Sequence, residues 1–336
     1  MSADPGASAP EIAAAVAALR AGEVVAFPTE TVYGLGADAR NPAALAKVYA
    51  LKGRPADHPL ILHLHSPDEL DRWVAEVPPT ARRLAAKFWP GPLTLVLKKA
   101  ADVSTVLTGG QDSIAVRVPS HPVAQQLLAA FGSGIAAPSA NRYGRISPTR
   151  AAHVREEFPQ DVLVLEGGDC EVGLESSIVS LITEPPELLR PGMIARDALE
   201  AELGGALVAA ASKDSPRVPG STLQHYAPQT PLALLPQSQF ADQLQRRLAA
   251  AASAGERVVV FARRTQPPGL APPLRAAIGE WSVAPDSATD YARELYATLR
   301  RLDKSGAASI LVESVPDGAA WDAARDRLAR AAATFL

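Results

Sequence analysis

Two runs carry the reading of this chain: FPTETVYGLGADA at residues 27–39 and LKGRPADHPLILH at residues 51–63. Their centre is Lys52-Gly53-Arg54. On an extended backbone side chains alternate faces, so the two cations would project the same way. Arg offers a planar fork of donors and Lys a compact point charge, a pair suited to a polyphosphate. An isolated K-x-R is more often two solvated cations, and here its company changes the reading. Further on stand Ser113 and Arg117 in DSIAVRVP, Pro138-Ser139-Ala140-Asn141 after an apolar run, and RISP at 145–148. Glu175-Ser176-Ser177-Ile178 and Leu189-Arg190-Pro191-Gly192 complete the set.

At 336 residues the chain exceeds the usual size of one core, so two domains are expected. A hydrophobic content of 47% supports ordinary globular cores, and a formal charge of −3 supplies no global field toward nucleic acid. The single Cys170 excludes an internal disulfide or a multi-cysteine zinc site and fits a reducing compartment. The opening MSADPGASAPEIAAA has no basic stretch ahead of an apolar core, and no apolar run approaches membrane-spanning length. The expectation is a soluble cytoplasmic protein without a membrane partner.

Residues 1–9 are small and polar and read as disordered. From 10 to 205, short β-branched runs alternate irregularly with helical patterns, the first helix spanning 10–21 between Pro10 and Gly22. This predicts an α/β fold, a twisted mixed sheet with helices packed against it. Residues 206–230, rich in Ser, Pro and Gly, read as a linker, and a long ordered loop of this kind often carries function. Regular strand–helix alternation over 231–336 predicts a smaller Rossmann-like α/β domain with a parallel sheet.

No Walker A sequence occurs. Gly34-Leu35-Gly36-Ala37-Asp38-Ala39 matches a dinucleotide fingerprint only superficially, since Asn41-Pro42 follows directly. Its glycines read instead as a tight turn carrying Thr29 and Thr31 to a cleft edge. Ser139 lies outside any nucleophile elbow; its hydroxyl and the Asn141 amide suit phosphate and Mg²⁺-linked water. His63 and His65 share a face at i, i+2, but no third metal ligand has suitable spacing. A buried Arg117 would need an anionic partner, either a substrate carboxylate or an internal Asp. Cys170, flanked by Asp169 and Glu171, is disfavoured as a thiolate.

In their order these motifs closely resemble the threonylcarbamoyl-AMP synthases of the YrdC type, over about residues 10–205. His225-Tyr226-Ala227-Pro228 is similar to the block that marks the longer two-domain form. The resemblance implies a YrdC-like catalytic domain that makes threonylcarbamoyl-AMP and pyrophosphate from L-threonine, bicarbonate and ATP. The product serves threonylcarbamoyladenosine formation in tRNA through a downstream transferase complex, with no direct tRNA binding required. Carried over by motif, Lys52 and Arg54 are catalytic. Lys52, Arg54, His58, Ser113, Ser139, Asn141, Ser147, Arg190 and Tyr226 bind ATP. Thr31, His63, Arg117, Ala137 and Ser177 bind threonine. Mg²⁺ is implied as bound mainly through the ATP phosphates, with no dedicated protein ligands. Ser177 stands where family members often have Thr, and His58 where Asn is common. Tyr226 would cap the nucleotide as a lid from the 206–230 tether. A rival reading, an RNA-binding module, has against it the negative charge, 5% aromatics and the lack of a Lys/Arg-rich run. A hydrogenase-maturation factor would carry cysteine-rich zinc modules, which one cysteine cannot supply.

Overall fold

The computed structural model describes residues 6–160, 162–209, 215–220 and 225–335. Two compact units form: Met1–Tyr143 with Ser147–Ser221, and Gly144–Ile146 with Thr222–Leu336. In the first unit a helix spans Ala9–Arg20, begun by a capping box between Ser8 and Glu11. Order therefore extends into the stretch read as disordered, since Ala7 is also buried. Residues 1–5 of that stretch lie outside the described residues.

Ten strands build the first sheet: β1 (Val25–Phe27), β2 (Gly34–Asp38), β3 (Ile61–His63), β4 (Leu93–Lys98), β5 (Ser113–Arg117), β6 (Ile135–Ala136), β7 (Leu163–Val164), β8 (Ser177–Ser180), β9 (Glu187–Arg190) and β10 (Val208–Ala209). Their order is β10-β9-β8-β4-β5-β3-β6-β2-β1-β7. Four pairings are parallel, β3–β5, β4–β8, β1–β7 and β9–β10, and the others antiparallel, so the sheet is mixed as expected. The last strand lies beyond residue 205, so this sheet draws in part of the stretch read as linker.

β2 corrects the reading of the GLGAD run as a turn. Both glycines lie inside a buried strand, and their role is close packing. A Cβ on Gly36 would stand 2.7 Å from the Phe27 ring and 2.8 Å from Ile135. The chain could not lie so close to β1 and β6 with any larger residue.

One sheet face packs Leu35, Leu62, Leu95 and Val116 against helices Pro42–Lys52 and Pro79–Phe88. On the opposite face, helices Ala9–Arg20 and Pro122–Phe131 cover Val25, Phe27 and Ile135. Beyond them, Ile61, Val96, Ala115, Ile178 and Leu189 form a small apolar patch capped by Val218 rather than by a helix.

The second unit has four parallel strands, β11 (Leu232–Leu235), β12 (Val258–Ala262), β13 (Ile278–Val283) and β14 (Ser309–Glu313), in the order β11-β14-β12-β13. Helix Phe240–Ala254 packs Phe240, Leu244 and Leu248 against Val260 and Leu311. Tyr226 belongs to this unit and not to a free tether: it is 1% exposed, stacks on Tyr296 at 5.8 Å and lies under Arg327 at 5.1 Å. Its φ of 62° is left-handed, a conformation that the surrounding contacts must hold. Ala227 donates its amide to Gly144 O at 2.9 Å, and Arg145 donates to Pro228 O at 3.1 Å. Residues 210–214 and 221–224 of the expected lid lie outside the described residues.

Candidate active site

Helix Pro42–Lys52 is started by Asn41, whose side chain accepts from the amides of Ala43 and Ala44. It ends at Lys52, and Gly53, at φ 63°, turns the chain in the left-handed conformation. Lys52 and Arg54 are therefore set by a helix C-terminus and its glycine cap, not by strand alternation. Lys52, 3% exposed, donates Nζ to the carbonyls of Ser139 and Asn141, each at 2.5 Å. Burial, and next the charge of Arg54, hold its pKa well below the ordinary lysine value. An anion placed there would favour the cationic form, because a nearby opposite charge restores what desolvation removes.

Arg54 donates to the carbonyls of His58 at 3.2 Å and Pro59 at 2.8 Å, with its guanidinium over the Tyr143 ring at 5.8 Å. Tyr143 in turn meets His58 Nδ1 at 3.2 Å and gives its amide to Lys52 O at 2.8 Å. Burial, then Arg54, lowers the His58 pKa. Ser147 donates Oγ–H to Glu175 at 2.5 Å, both residues buried. The K-x-R triplet, His58 and the 139–143 loop thus meet in one constellation.

A second constellation forms at the ends of β3 and β5, where His63 and Arg117 are partners across the parallel pair. Arg117 is 3% exposed. It donates Nη1 to Thr31 Oγ1 at 2.8 Å and Nε to Gly91 O at 3.3 Å, and pairs through Nη2 with Glu30 at 2.7 Å. Glu30 also accepts the Ser120 amide at 3.1 Å. The internal anion that a buried Arg117 requires is therefore Glu30 rather than an Asp, and the motif reading passed it over. The signal was available, since Glu30 directly precedes Thr31 and a buried cation demands a buried anion. A guanidinium has five N–H donors, so those three contacts leave capacity for a bound carboxylate.

His63, 4% exposed, lies edge-on to Phe27 at 6.0 Å and contacts Ile61 O through Nδ1 at 3.2 Å. Burial first, then Arg117, lowers its pKa from 6.5 to about 3, so the imidazole is neutral near pH 7. Unfolded, that ring takes up a proton which the folded site refuses. Its contribution to stability is thus present above pH 6.5 and lost as the pH falls toward 3. Urea titrations from pH 7 to 4 should show stability rising with pH, with a shallower slope for His63→Gln. An unchanged slope would remove His63 as the source.

Ala137 bonds its amide to Ile61 O at 2.9 Å, so the run from Ala137 to Asn141 links the His63 constellation to Lys52. Ser177 starts β8 beside Leu93, and its amide reaches Pro92 O at 3.0 Å. Gly192 lets the following loop press on it, since a Cβ there would stand 2.3 Å from the Ser177 nitrogen. Arg190 braces this corner, donating to Ser176 O from Nε at 3.1 Å and to Pro219 O at 2.8 Å.

Ser113 is not brought to either group. It begins β5 opposite Lys98, about 13 Å from Arg117 by strand rise. There it lines a cavity of about 980 Å³ with Lys98, Gln111 and Arg217. His65 is exposed beyond the end of β3. Cys170 is buried, and desolvation, then Glu30, raises its thiol far above the usual range. Among the described residues no three His, Cys, Asp or Glu side chains gather to hold a metal ion, and no helix is long and apolar enough to cross a membrane.

Fold and site together define a two-unit α/β protein whose mixed sheet gathers buried cations and neutral hydroxyls in two neighbouring constellations. Residues 17–192 match the Sua5–YciO–YrdC family, described as "Telomere recombination", and residues 194–333 match the "Threonylcarbamoyl-AMP synthase, C-terminal domain". The chain belongs to this family in its two-domain form. It is 38% identical to the threonylcarbamoyl-AMP synthase of Pyrococcus abyssi, over 93% of this chain and 91% of that one. Identity to the Bacillus subtilis threonylcarbamoyl-AMP synthase is also 38%, over 96% and 93%. The crystal structure of P. abyssi Sua5 complexed with L-threonine superposes with a TM-score of 0.87 at 36% identity, over 96% of this chain and 94% of that one.

Proposed function

We propose that this chain is an L-threonylcarbamoyladenylate synthase, converting L-threonine, bicarbonate and ATP into threonylcarbamoyl-AMP and pyrophosphate for the modification of tRNA. One observation carries the reading: two buried cationic constellations, around Lys52 and around Arg117, are joined by the run from Ala137 to Asn141. The Lys52 side, with Arg54, His58, Ser139, Asn141 and Ser147, takes the triphosphate. Ser113, Arg190 and Tyr226 remain assigned to ATP on the family motif. The Arg117 side, with Thr31, His63, Ala137 and Ser177, takes threonine, its carboxylate on the guanidinium. That the P. abyssi relative was crystallised with L-threonine supports threonine as the substrate.

Threonine's amine takes the carbon of bicarbonate with loss of one water to give a carbamate, and a carbamate oxygen attacks the α-phosphorus as pyrophosphate leaves. No covalent enzyme intermediate is required. Positioning and neutralisation of the triphosphate by Lys52 and Arg54 supply the catalysis, with Mg²⁺ carried in on the ATP phosphates. We place the reaction in the cytoplasm, with the labile product handed to a threonylcarbamoyl transferase complex.

The deciding test is pyrophosphate release with each amino acid, with and without bicarbonate. Release should require both threonine and bicarbonate. Serine should lose about 1–3 kcal/mol for its missing methyl, and valine should fail because it leaves polar groups of the site unpaired. Valine turning over as fast as threonine would sink the pocket assignment.

Tyr226 carries a separate expectation. As a nucleotide cap it should be needed for water exclusion, so Tyr226→Ala in the full chain should lose most of the activity and raise KM for ATP. Because this ring is also packed on Tyr296, circular dichroism must show the variant folded. Unaltered kinetics in a folded variant return Tyr226 to a purely structural role.

A further inference from the structure

The second unit holds a polar cluster that none of this chemistry uses. In its sheet the chain leaves β12 toward β13 on one side. It leaves β14 into helix Asp322–Ala333, which packs on β11, on the other. The carboxyl ends of β12 and β14 are adjacent, and their departing chains diverge. In open α/β sheets this topological switch point is where a crevice forms and ligands bind.

Glu313, the last residue of β14, is 3% exposed. It accepts the Arg263 amide at 2.9 Å and is ion-paired with Arg264, through Nε at 2.8 Å and also through Nη2. Arg263 and Arg264 directly follow β12. The Arg263 guanidinium lies over Trp321 at 5.2 Å, and its 3.3 Å contact to Asp286 is with a side chain that is 88% exposed. Two donors here are buried without a hydrogen-bond partner: Arg263 Nε and the hydroxyl of Tyr291, a residue 1% exposed. Tyr291 packs edge-on to Trp321 at 5.4 Å, the same ring that Arg263 covers. Burial, then the Glu313 carboxylate, raise its pKa with Arg263 opposing, so the hydroxyl remains a donor.

Buried donors without partners cost free energy and call for an acceptor. Arg264 is paired with the buried Glu313 and Arg263 with the exposed Asp286, so the unused Tyr291 and Arg263 donors stand beside two guanidiniums. We propose that Arg263, Arg264 and Tyr291 form an oxyanion site at this switch point that takes a phosphate group. Free phosphate and the phosphate of a nucleotide share this chemistry.

Equilibrium dialysis of the full chain against radiolabelled orthophosphate and AMP, at fixed ionic strength, tests it. Arg263→Gln should bind one phosphate fewer per chain than the unmodified protein. Tyr291→Phe should weaken that site about tenfold, the effect of one charge-assisted hydrogen bond. Orthophosphate binding as well as AMP at this site marks free phosphate as the source, and a marked preference for AMP marks the nucleotide. Tyr291→Phe is nearly isosteric and guards against misfolding. Without phosphate it should keep or raise the Tm, since its hydroxyl has no partner, and with phosphate it should lose the ligand-dependent gain. Equal stoichiometry and affinity in the unmodified protein and both variants would overturn the proposal and leave a structural ion pair.

Discussion

Lys52→Ala is expected to slow pyrophosphate release by about 10²–10³-fold, since one preorganised electrostatic group aimed at developing charge contributes ~3–4 kcal/mol. Lys52 is well suited to that role because it is held by two carbonyls at 2.5 Å and does not have to find its place when the triphosphate arrives. The same contacts add a structural cost. Without Nζ, two carbonyls in a buried corner lose their donor, at about 1–3 kcal/mol for each one left unsatisfied. The Tm must therefore be recorded beside single-turnover release, so that folding and chemistry are read separately. Arg54→Ala should fall in the same kinetic range. Near-normal release by both variants in folded form would end the assignment of this pair to the triphosphate.

Arg117→Gln is the second large effect, and it should appear first in stability. Removing one partner of a buried ion pair costs about 3–5 kcal/mol, because the other charge stays buried without compensation. Here that partner is Glu30, whose side chain is 4% exposed. Glu30→Gln should be costly for the reciprocal reason. The double variant should be less destabilised than the sum of the two, since neither charge is then stranded. Threonine affinity should fall with Arg117→Gln, as its carboxylate loses the guanidinium. Loss of less than about 1 kcal/mol, with normal threonine binding, would contradict both parts.

Much of this was legible in the sequence because the relevant residues sit in short dense motifs. The mixed character of the first sheet and the parallel second sheet follow from strand and helix patterning, and Thr31 and Arg117 do meet. Three things were not legible, each for a physical reason. The glycines of β2 read as a turn because local sequence shows their freedom but not Phe27 and Ile135, which require their smallness. A helix over residues 42–51 ending near Gly53 was readable, but the alternation of Lys52 and Arg54 suggested extended backbone, because side-chain spacing alone does not show that Gly53 is a left-handed helix cap. The distance of Ser113 from both constellations could not be read from its motif, because it is the strand β5 that sets Ser113 and Arg117, four residues apart, at opposite ends.

The pairing pattern of the first sheet also sets the order in which this protein can assemble. Val25 lies beside Leu163 and Leu93 beside Ser177, so strands made early wait for partners made much later. Pairing of such separated segments closes long loops before it gains contacts, which slows folding. During synthesis, Lys52, His63 and Arg117 emerge while β8 and β9 are still absent, leaving one side of β4 without its partner. An unpaired strand is a template for other chains. A nascent chain of this family is therefore exposed to misassociation until roughly its first two hundred residues have emerged, which gives chaperone capture its greatest value in that interval.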